Sequence, residues 1–394
     1  MVYRKERNIS KKCVKPQLRF AGFEEDWEWR KIREICKYCS SNLSVLDIDV
    51  DGKYQLYDAN GVIGKTNKLL QKEEYITIIK DGSGVGRVRK NLAYSSFIGT
   101  MGAIVPNDSE INYLFAEFQR KDFSKHINGA TIPHIYFSNY GEDILCIPNV
   151  KEQQKIGVYF CNLDKLITLY QNKYDKLTNI KKSMLEKMFP KNGSNVPEIR
   201  FKGFSDTWER RKLDEWGTFY YGRSCPKWSV TENATIPCIR YGELYTKFGT
   251  KVDTIYSYTN MSPENLRFSK GTEVLIPRVG EDPMDYNHCT WLSIPDVAIG
   301  EMISVFNTKN NPLFTATMFN ATLQNEFAMR VEGGSVTNLY FEKLKNIEVS
   351  FPTLKEQKKI GEYFETLDKL INLYQCKLEK LKNIKKACME KMFV

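Results

Sequence analysis

The chain has 394 residues, of which 42% are hydrophobic, and it carries a formal net charge of +10. A chain of this length and apolar content is too large for one ordinary core, so we expect two globular domains. It contains no run of about 18 uncharged apolar residues, and its first residues, Met1 to Lys5, lack the apolar segment of a secretory signal. We therefore expect a cytoplasmic protein without a membrane span.

The first recognisable segment of the chain occurs twice. PQLRFAGF at residues 16–23, followed by Trp27, returns as PEIRFKGF at residues 197–204, followed by Trp208. Residues 129–137 (GATIPHIYF) match residues 333–341 (GGSVTNLYF), and residues 151–189 match residues 355–393 with most letters identical. Chance does not produce such agreement, so the chain is one unit written twice.

Between the duplicated segments lie two inserts without alignable similarity, roughly residues 36–128 and 217–332. The shared segments form a frame that meets the same surroundings twice, whereas the inserts meet different ones. Apolar runs at residues 75–79 and 274–276 predict short strands punctuated by glycine, and residues 113–123 predict a helix. We expect each insert to be a mixed α/β globule. One shared frame around two different inserts is typical of a protein that recognises two different targets.

A glycine-rich basic cluster follows the first predicted strand. Its glycines expose backbone amides, and its cations are suited to phosphates or to the acceptor edge of guanine. A surface hairpin with solvated charges is the alternative interpretation. The DNA-contact candidates of this cluster are Lys80, Gly82, Ser83, Gly84, Arg87, Arg89 and Lys90.

The segment at residues 151–189 and its copy predict long helices. Their apolar residues alternate at spacings of four and three, as in a coiled coil. Both copies place a lysine, Lys181 or Lys385, where the seam expects an apolar residue; a register-fixing role and a side chain that reaches round to solvent are both open. The predicted seam comprises Ile156, Phe160, Leu163, Ile167, Tyr170, Tyr174 and Leu177 in the first copy and Ile360, Phe364, Leu367, Ile371, Tyr374, Leu378 and Leu381 in the second.

Prolines mark the edges of these helices, with Pro148 and Pro352 shortly before them and Pro190 ending the first. At about 1.5 Å per residue each helix spans roughly 54 Å, and antiparallel pairing would set the two inserts at opposite ends. We predict a mixed α/β fold, with two globular domains separated by two long antiparallel coiled-coil helices in a pseudo-two-fold tandem repeat. The predicted segments are a first globular domain at 1–150, a helix at 151–189, a linker at 190–196, a second globular domain at 197–354 and a helix at 355–394.

The second insert repeats the placement of an arginine beside a glycine turn. RYGE at residues 240–243 and IPRVGE at residues 276–281 make Arg240, Tyr241 and Arg278 further DNA-contact candidates. The positive charge of the chain lies mostly outside the segments that contain the inserts, since residues 35–150 carry a net charge of −1 and residues 192–354 one of −2. Bulk electrostatics alone therefore does not indicate a DNA reader, and the prediction rests on these local clusters.

Motifs that would indicate an enzyme are incomplete. GSGVG at residues 82–86 is followed by a basic β-branched stretch rather than the helix that a dinucleotide loop requires. NPLF at residues 311–314 lacks the second proline of the adenine methyltransferase signature, and Ile303 stands where a nuclease motif requires lysine. Cys36 and Cys39 form one pair, whereas a structural zinc needs four ligands. We therefore predict no catalytic residues and no metal.

The frame resembles that of type I restriction-modification specificity subunits. The resemblance rests on residues 197–204 with Trp208 and Glu209, on residues 132–137, and on Pro352 with KEQKKI at residues 355–360, and with the duplicated helix it covers nearly the whole chain. It implies two target-recognition domains, each reading one half of a split DNA site, joined by helices whose length sets the spacer. A coiled-coil scaffold or adaptor that binds other proteins is the alternative.

The partners that this resemblance implies are double-stranded DNA, two modification subunits and restriction (motor-nuclease) subunits. The modification subunits would carry S-adenosylmethionine and methylate adenine, so the chain itself would need no cofactor.

Overall fold

The computed structural model describes residues 15–129, 131–191 and 193–394. The chain divides into two compact units, Met1–Gln171 with Cys376–Val394 and Asn172–Gln375. This division differs from the predicted linear segments, which gave each long helix a segment of its own. Both helices are cut instead, because each half of a helix packs on the globule of its own unit.

The first unit contains one globule and the first long helix begins in it. Its strands are β1 (Glu28–Lys31), β2 (Cys36–Cys39), β3 (Tyr54–Tyr57), β4 (Val62–Thr66), β5 (Tyr75–Ile79), β6 (Val88–Asn91), β7 (Ser95–Phe97), β8 (Met101–Pro106) and β9 (Ile144–Ile147). Its helices are α1 (Ile32–Ile35), α2 (Ile111–Arg120), α3 (Phe137–Tyr140) and the start of α4 (Val150–Lys187).

The second unit contains the other globule, and the second long helix begins in it. Its strands are β10 (Glu209–Lys212), β11 (Gly217–Tyr221), β12 (Ile236–Ile239), β13 (Lys251–Val252), β14 (Ser257–Thr259), β15 (Phe268–Lys270), β16 (Glu273–Pro277), β17 (Val279–Gly280), β18 (Thr290–Leu292), β19 (Pro295–Ile299), β20 (Ile303–Thr308), β21 (Glu332–Gly333), β22 (Thr337–Asn338) and β23 (Glu348–Phe351). Its helices are α5 (Leu213–Trp216), α6 (Tyr241–Thr246), α7 (Pro312–Thr322), α8 (Gln324–Ala328) and the start of α9 (Leu354–Lys391).

The predicted strand at residues 75–79 is β5, and the run at 274–276 lies within β16. The helix predicted at residues 113–123 is α2, which begins at Ile111 and ends at Arg120. The predicted end was wrong by three residues because Lys121, the C-cap, already has an extended backbone with ψ of 129°. The predicted mixed α/β fold with two long antiparallel helices is confirmed.

The two inserts share one topology although their sequences do not align. In the first, an antiparallel sheet has the order β2-β8-β5-β6, and in the second the order β11-β20-β16-β18-β13 begins with the same four positions. The second sheets correspond too, as β4-β3-β7 and β14-β12-β19-β15. In each of them one pair of strands is parallel, β3 with β7 and β12 with β19. Unit 2 therefore has the same two sheets as unit 1, each with one additional edge strand, β13 or β15.

A buried ion pair explains why the first duplicated box recurs. Arg19 donates two hydrogen bonds of 2.7 Å to Glu152 at the start of α4. Arg200 donates two of 2.6 and 2.7 Å to Glu356 at the start of α9. Both carboxylates are fully buried, and such a two-pronged contact fixes orientation as well as distance. The box therefore clamps each long helix to its globule.

The glutamine after each clamped glutamate joins the long helix to the start of an earlier helix of the same globule. In unit 1 the Gln153 amide accepts from the backbone N–H of Glu110 at 2.9 Å and donates to the carbonyl of Pro148 at 2.8 Å. Gln357 makes the same two contacts, with Asn311 at 2.9 Å and Pro352 at 2.8 Å. The two backbone donors, Glu110 for Gln153 and Asn311 for Gln357, are the N-caps of α2 and α7. This arrangement gives the duplicated Lys-Glu-Gln sequence a structural reason in both copies.

The long helices run antiparallel within each unit. In unit 1 the Tyr159 hydroxyl lies 3.3 Å from the Cys388 sulfur, and the Lys385 ammonium lies 2.6 Å from the Asp164 carboxylate. In unit 2 Lys181 forms the corresponding ion pair with Asp368. Both lysines thus meet a carboxylate of the facing helix, which favours the register-fixing interpretation over a side chain that reaches round to solvent.

All predicted seam residues lie buried or half-buried. The most buried are Ile156, Phe160, Leu163, Ile360, Phe364, Leu367 and Leu378, and the half-buried ones are Ile167, Tyr170, Tyr174, Leu177, Ile371, Tyr374 and Leu381. The half-buried positions lie in the middle and the C-terminal half of each helix, and two of them, Leu177 and Leu381, pack against the cores of the globules.

Candidate nucleic-acid interface

The basic cluster of unit 1 lies on the hairpin between β5 and β6. Gly82, Gly84 and Gly86 have φ of 87°, 84° and 87°, so each occupies the left-handed region that favours glycine. The hairpin continues into the strand β6, whereas a dinucleotide-binding loop would open a helix. The structure therefore agrees with a tight, exposed turn, and Ser83 lies at its tip.

Two arginines of this hairpin hold a neighbouring loop. Arg87 donates to the carbonyl of Ala59 at 2.7 Å, and Arg89 donates to the carbonyl of Asn60 at 2.7 Å. Neither contact involves a carboxylate, so both arginines keep their full charge beside the loop at residues 58–61, which joins β3 to β4. The hairpin and this loop together form one cationic surface.

The two lysines of the cluster, unlike its two arginines, contact carboxylates of the protein. Lys80, at the end of β5, forms an ion pair with Asp81. Lys90 lies 2.8 Å from the Asn112 amide oxygen and 3.3 Å from Glu74. Lys90 therefore joins β6 to α2, and its charge is partly compensated.

In unit 2, Arg278 follows the end of β16. Its guanidinium carbon lies 5.0 Å from the ring centroid of Tyr221, and its Nη2 lies 3.1 Å from the sulfur of Met302. Among the described residues its buried Nε has no hydrogen-bond acceptor. Burial, assisted by the hydrogen bond to Glu342, raises the pKa of Tyr221, so this phenol stays protonated and the ring remains a neutral platform for the arginine.

One turn connects the segment of the other two candidates of unit 2 to the segment of Arg278. Arg240 and Tyr241 stand at the start of α6, directly after β12. The turn at residues 300–302 bonds to both strand ends, with Gly300 N–H donating to Ile239 at 2.9 Å and Arg278 N–H donating to Met302 at 3.1 Å. The turn thus links the end of β12, just before Arg240 and Tyr241, to the chain at Arg278, just after β16.

Lys80 and Arg278 occupy equivalent positions in the two globules, each directly after the corresponding strand β5 or β16. The carbonyl of Lys80 accepts from Ile135 at 2.9 Å, and that of Arg278 accepts from Leu339 at 2.8 Å; these two donors are equivalent residues of the duplicated box. The adjoining loops differ, since a short loop at residues 58–61 in unit 1 corresponds to residues 240–256, with α6 and β13, in unit 2. Each unit therefore presents a cation at one fixed place beside a loop of its own.

The sequence interpretation missed four exposed side chains of that duplicated box. Tyr136 and its equivalent Tyr340 are 52% and 36% exposed, and Ile132 and its equivalent Val336 are 62% and 51% exposed. These apolar side chains are exposed at matching places in both units. Their recurrence in the sequence was the available signal, but the alternation of the box reads equally well as a buried strand.

The motifs set aside in the sequence have structural roles. Asn311 is the N-cap of α7, and its side chain accepts from Phe314 N–H at 2.9 Å, with Pro312 at the first helical position. Cys36 and Cys39 lie in β2, and the described residues contain no group of three or more His, Cys, Asp or Glu side chains that could hold a metal ion. Within the same residues, no helix is long and apolar enough to cross a membrane.

Each unit presents a cation at the equivalent position, beside a loop that differs between the units. This arrangement defines a modular protein with two recognition sites. The chain belongs to the family described as type I restriction modification DNA specificity domain, whose model matches residues 24–179 and 205–383. The predicted resemblance is thereby confirmed, together with DNA target recognition as the function of the chain, and the scaffold alternative is not favoured.

Individual relatives agree with this assignment. The chain is 22% identical to the type I restriction enzyme MjaVIII specificity subunit of Methanocaldococcus jannaschii, over 93% of this chain and 91% of that protein. It is 24% identical to a putative type I restriction enzyme MjaX specificity subunit of the same organism, over 72% and 68%. The crystal structure of a type I restriction-modification system S subunit from M. genitalium has the same fold, with a TM-score of 0.66 at 17% identity over 97% of this chain and 99% of that one.

Proposed function

We propose that each globule reads one half of a split DNA target and that partner subunits then methylate adenine in, or cleave, the selected DNA. The observation that carries this proposal is the shared position of Lys80 and Arg278 beside unlike loops. A common frame would hold both readers against the same kind of duplex, and the differing loops would give each a different base preference.

Arginine is the better suited of the two for direct base recognition. Its planar fork pairs with both acceptors of guanine in the major groove, which is worth roughly 1–3 kcal/mol of discrimination. Arg278 rests on the Tyr221 ring and pairs with no carboxylate among the described residues, so its positive charge is uncompensated. Lys80 is paired with Asp81 and would contribute a weaker, less directional contact.

The partners that we propose are two modification subunits, with restriction subunits joining them for cleavage. Duplicated exposed apolar residues support a pair of identical partners, since the helix residues Leu169 and Leu373 are equivalent and are 46% and 45% exposed. The chain would perform no catalytic step, and S-adenosylmethionine would be bound by the modification subunits. Such a complex would act on the genome in the cytoplasm.

Substitution on the helices tests this stoichiometry. Leu169→Glu and Leu373→Glu each introduce a charge into one of the two proposed docking surfaces, which is costly once the surface is covered. Native mass spectrometry of the purified complex should then show the loss of one modification subunit from either single variant and of both from the double variant. A complex of unchanged mass would contradict docking at these leucines.

Mapping of methylated adenines across the host genome tests the recognition function. Deletion of the gene should abolish methylation at one motif with two defined blocks of bases, and restoration of the gene should recover it. Purified chain alone should transfer no labelled methyl groups to DNA. An unchanged set of methylated sites after deletion would contradict the proposal in a host that expresses the chain and its partners.

A further inference from the structure

We infer that a cationic groove in unit 1 binds backbone phosphates of the DNA and that unit 2 has no counterpart of it. This inference rests on the proposed function and extends it from base reading to positioning. The groove has a volume of about 580 Å³ and lies among the β5–β6 hairpin, the end of α2 and the last part of α9. Its cationic lining residues are Arg87, Arg120, Lys121, Lys382, Lys385 and Lys386.

Half of these cations are neutralised by the protein. The ion pairs are Arg120–Glu117 at 2.9 Å, Lys121–Asp143 at 2.8 Å and Lys385–Asp164 at 2.6 Å. Burial opposes the ionised form of Asp143, but the hydrogen bonds from Lys121, His126 and Lys125 lower its pKa to about 2, so it remains charged at neutral pH. The Lys385–Asp164 pair joins α9 to α4, and the Lys121–Asp143 pair joins the end of α2 to the residue before β9.

The other half carry uncompensated charge. Arg87, Lys382 and Lys386 are exposed and have no carboxylate partner anywhere in residues 15–129, 131–191 and 193–394. The floor between them is apolar, with Phe118 and Met389 among its residues. Low polarizability below the charges weakens their screening by water and strengthens their attraction for an anion. The groove therefore presents three positive charges to one ligand.

Phosphate groups of DNA fit this surface better than an acidic protein segment does. Arg87 belongs to the same hairpin as the candidate base readers, so a duplex bound there would pass beside it. Duplex DNA presents one negative charge for about every 1.7 Å of its axis, enough to engage several cations at once. A modification subunit that docks on both copies of the frame would require the same cations twice, and the described residues of unit 2 do not repeat all of them.

The equivalent positions of unit 2 differ in charge. Lys382 corresponds to Thr178, and Lys386 corresponds to Lys182. The helix α7, which corresponds to α2, has the sequence PLFTATMFNAT and contains no charged residue, whereas α2 ends in Arg120. Lys182 therefore provides a matched control, an exposed lysine at the same place on the other long helix.

The salt dependence of DNA binding tests the inference. The full-length chain, in complex with its modification subunits where these are required for binding, is titrated into a fluorescent duplex of arbitrary sequence at several KCl concentrations. Each phosphate contact contributes about 0.9 to the slope of log K against log[salt]. We expect Lys382→Gln/Lys386→Gln to reduce this slope by about 2 and Lys182→Gln to leave it unchanged. Lys382→Arg/Lys386→Arg should retain the slope, which would assign the effect to the positive charge of these side chains.

An unchanged slope in Lys382→Gln/Lys386→Gln would overturn the phosphate site, and so would an equal reduction in Lys182→Gln. Loss of modification-subunit binding with an unchanged slope would instead assign the groove to an acidic protein surface, which also overturns it. Absence of any salt-dependent binding by the unsubstituted chain would count against the proposed function itself, so the two failures are distinguishable.

Discussion

The two globules are alike where they meet the long helices and unlike where they end in loops. Both have four corresponding strands in one sheet and a parallel pair in the other. The connection after the central strand of the second sheet is a short loop at residues 58–61 in unit 1, and in unit 2 it is residues 240–256 with α6 and β13. Contacts with the helices restrict the frame, whereas the loops are free to differ, and this freedom allows one architecture to read two DNA sequences.

The contacts that anchor each long helix to its globule are of the same types in both units. Each copy has an arginine clamped to a buried glutamate, a glutamine that binds the N-cap of an earlier helix, and a lysine paired across the long helices. None of these contacts involves the loops at residues 58–61 and 240–256. A frame of this type tolerates changes in the readers without losing its geometry.

Removal of a clamped carboxylate should produce the largest effect on stability. Glu356→Ala removes the buried carboxylate that accepts both hydrogen bonds of the half-buried Arg200, and breaking such a pair costs up to about 3–5 kcal/mol when both charges are buried. Glu152→Ala should destabilise unit 1 to a similar extent. Hydrogen exchange resolved by residue would measure the free energy of opening of each unit. Glu362→Ala, at an exposed position of α9, should change it by less than about 0.5 kcal/mol, and an equally small effect for Glu356→Ala would contradict the clamp.

The cations at the shared frame position should affect one half-site each. Arg278→Gln should relax base discrimination in the second half-site by about 1–3 kcal/mol and leave the first half-site unchanged. Lys80→Gln should do the reverse, with a smaller effect because Asp81 already compensates Lys80. Competition binding with duplexes altered in one half at a time measures both. Loss of affinity that does not depend on sequence would show that these cations contact phosphates instead.

The paired lysines of the helices should give the smallest effects, equal in the two units. Both ion pairs are partly exposed, with side chains between 20% and 35% accessible. Such pairs contribute about 0.2–1 kcal/mol. Double-mutant cycles of Lys181 with Asp368 and of Lys385 with Asp164, read by urea unfolding, should therefore return the same small coupling. A coupling in only one unit would show that the repeat is not equivalent at the helices.

The sequence was most informative where it repeats. Duplication and heptad spacing predicted the long helices, and the strand at residues 75–79 was predicted with its true ends. The common topology of the inserts was not predictable by alignment, because a strand requires only an apolar, β-compatible run and many unlike sequences satisfy that. The link between the segments of Arg240 and Arg278 depends on the turn at residues 300–302, a tertiary contact with no local signal. The partners of Lys181 and Lys385 lie on the facing helix, so sequence left their role open.

Exchange of one insert tests the modular account most directly. Residues 36–128 would be replaced by the corresponding insert of a relative with a different target, and methylated adenines would be mapped in a host that carries the partner subunits. The account predicts a motif in which one block of bases has changed and the other block is retained. Alteration of both blocks, with the chimaeric protein folded and assembled, would contradict independent reading by two unlike globules on one frame.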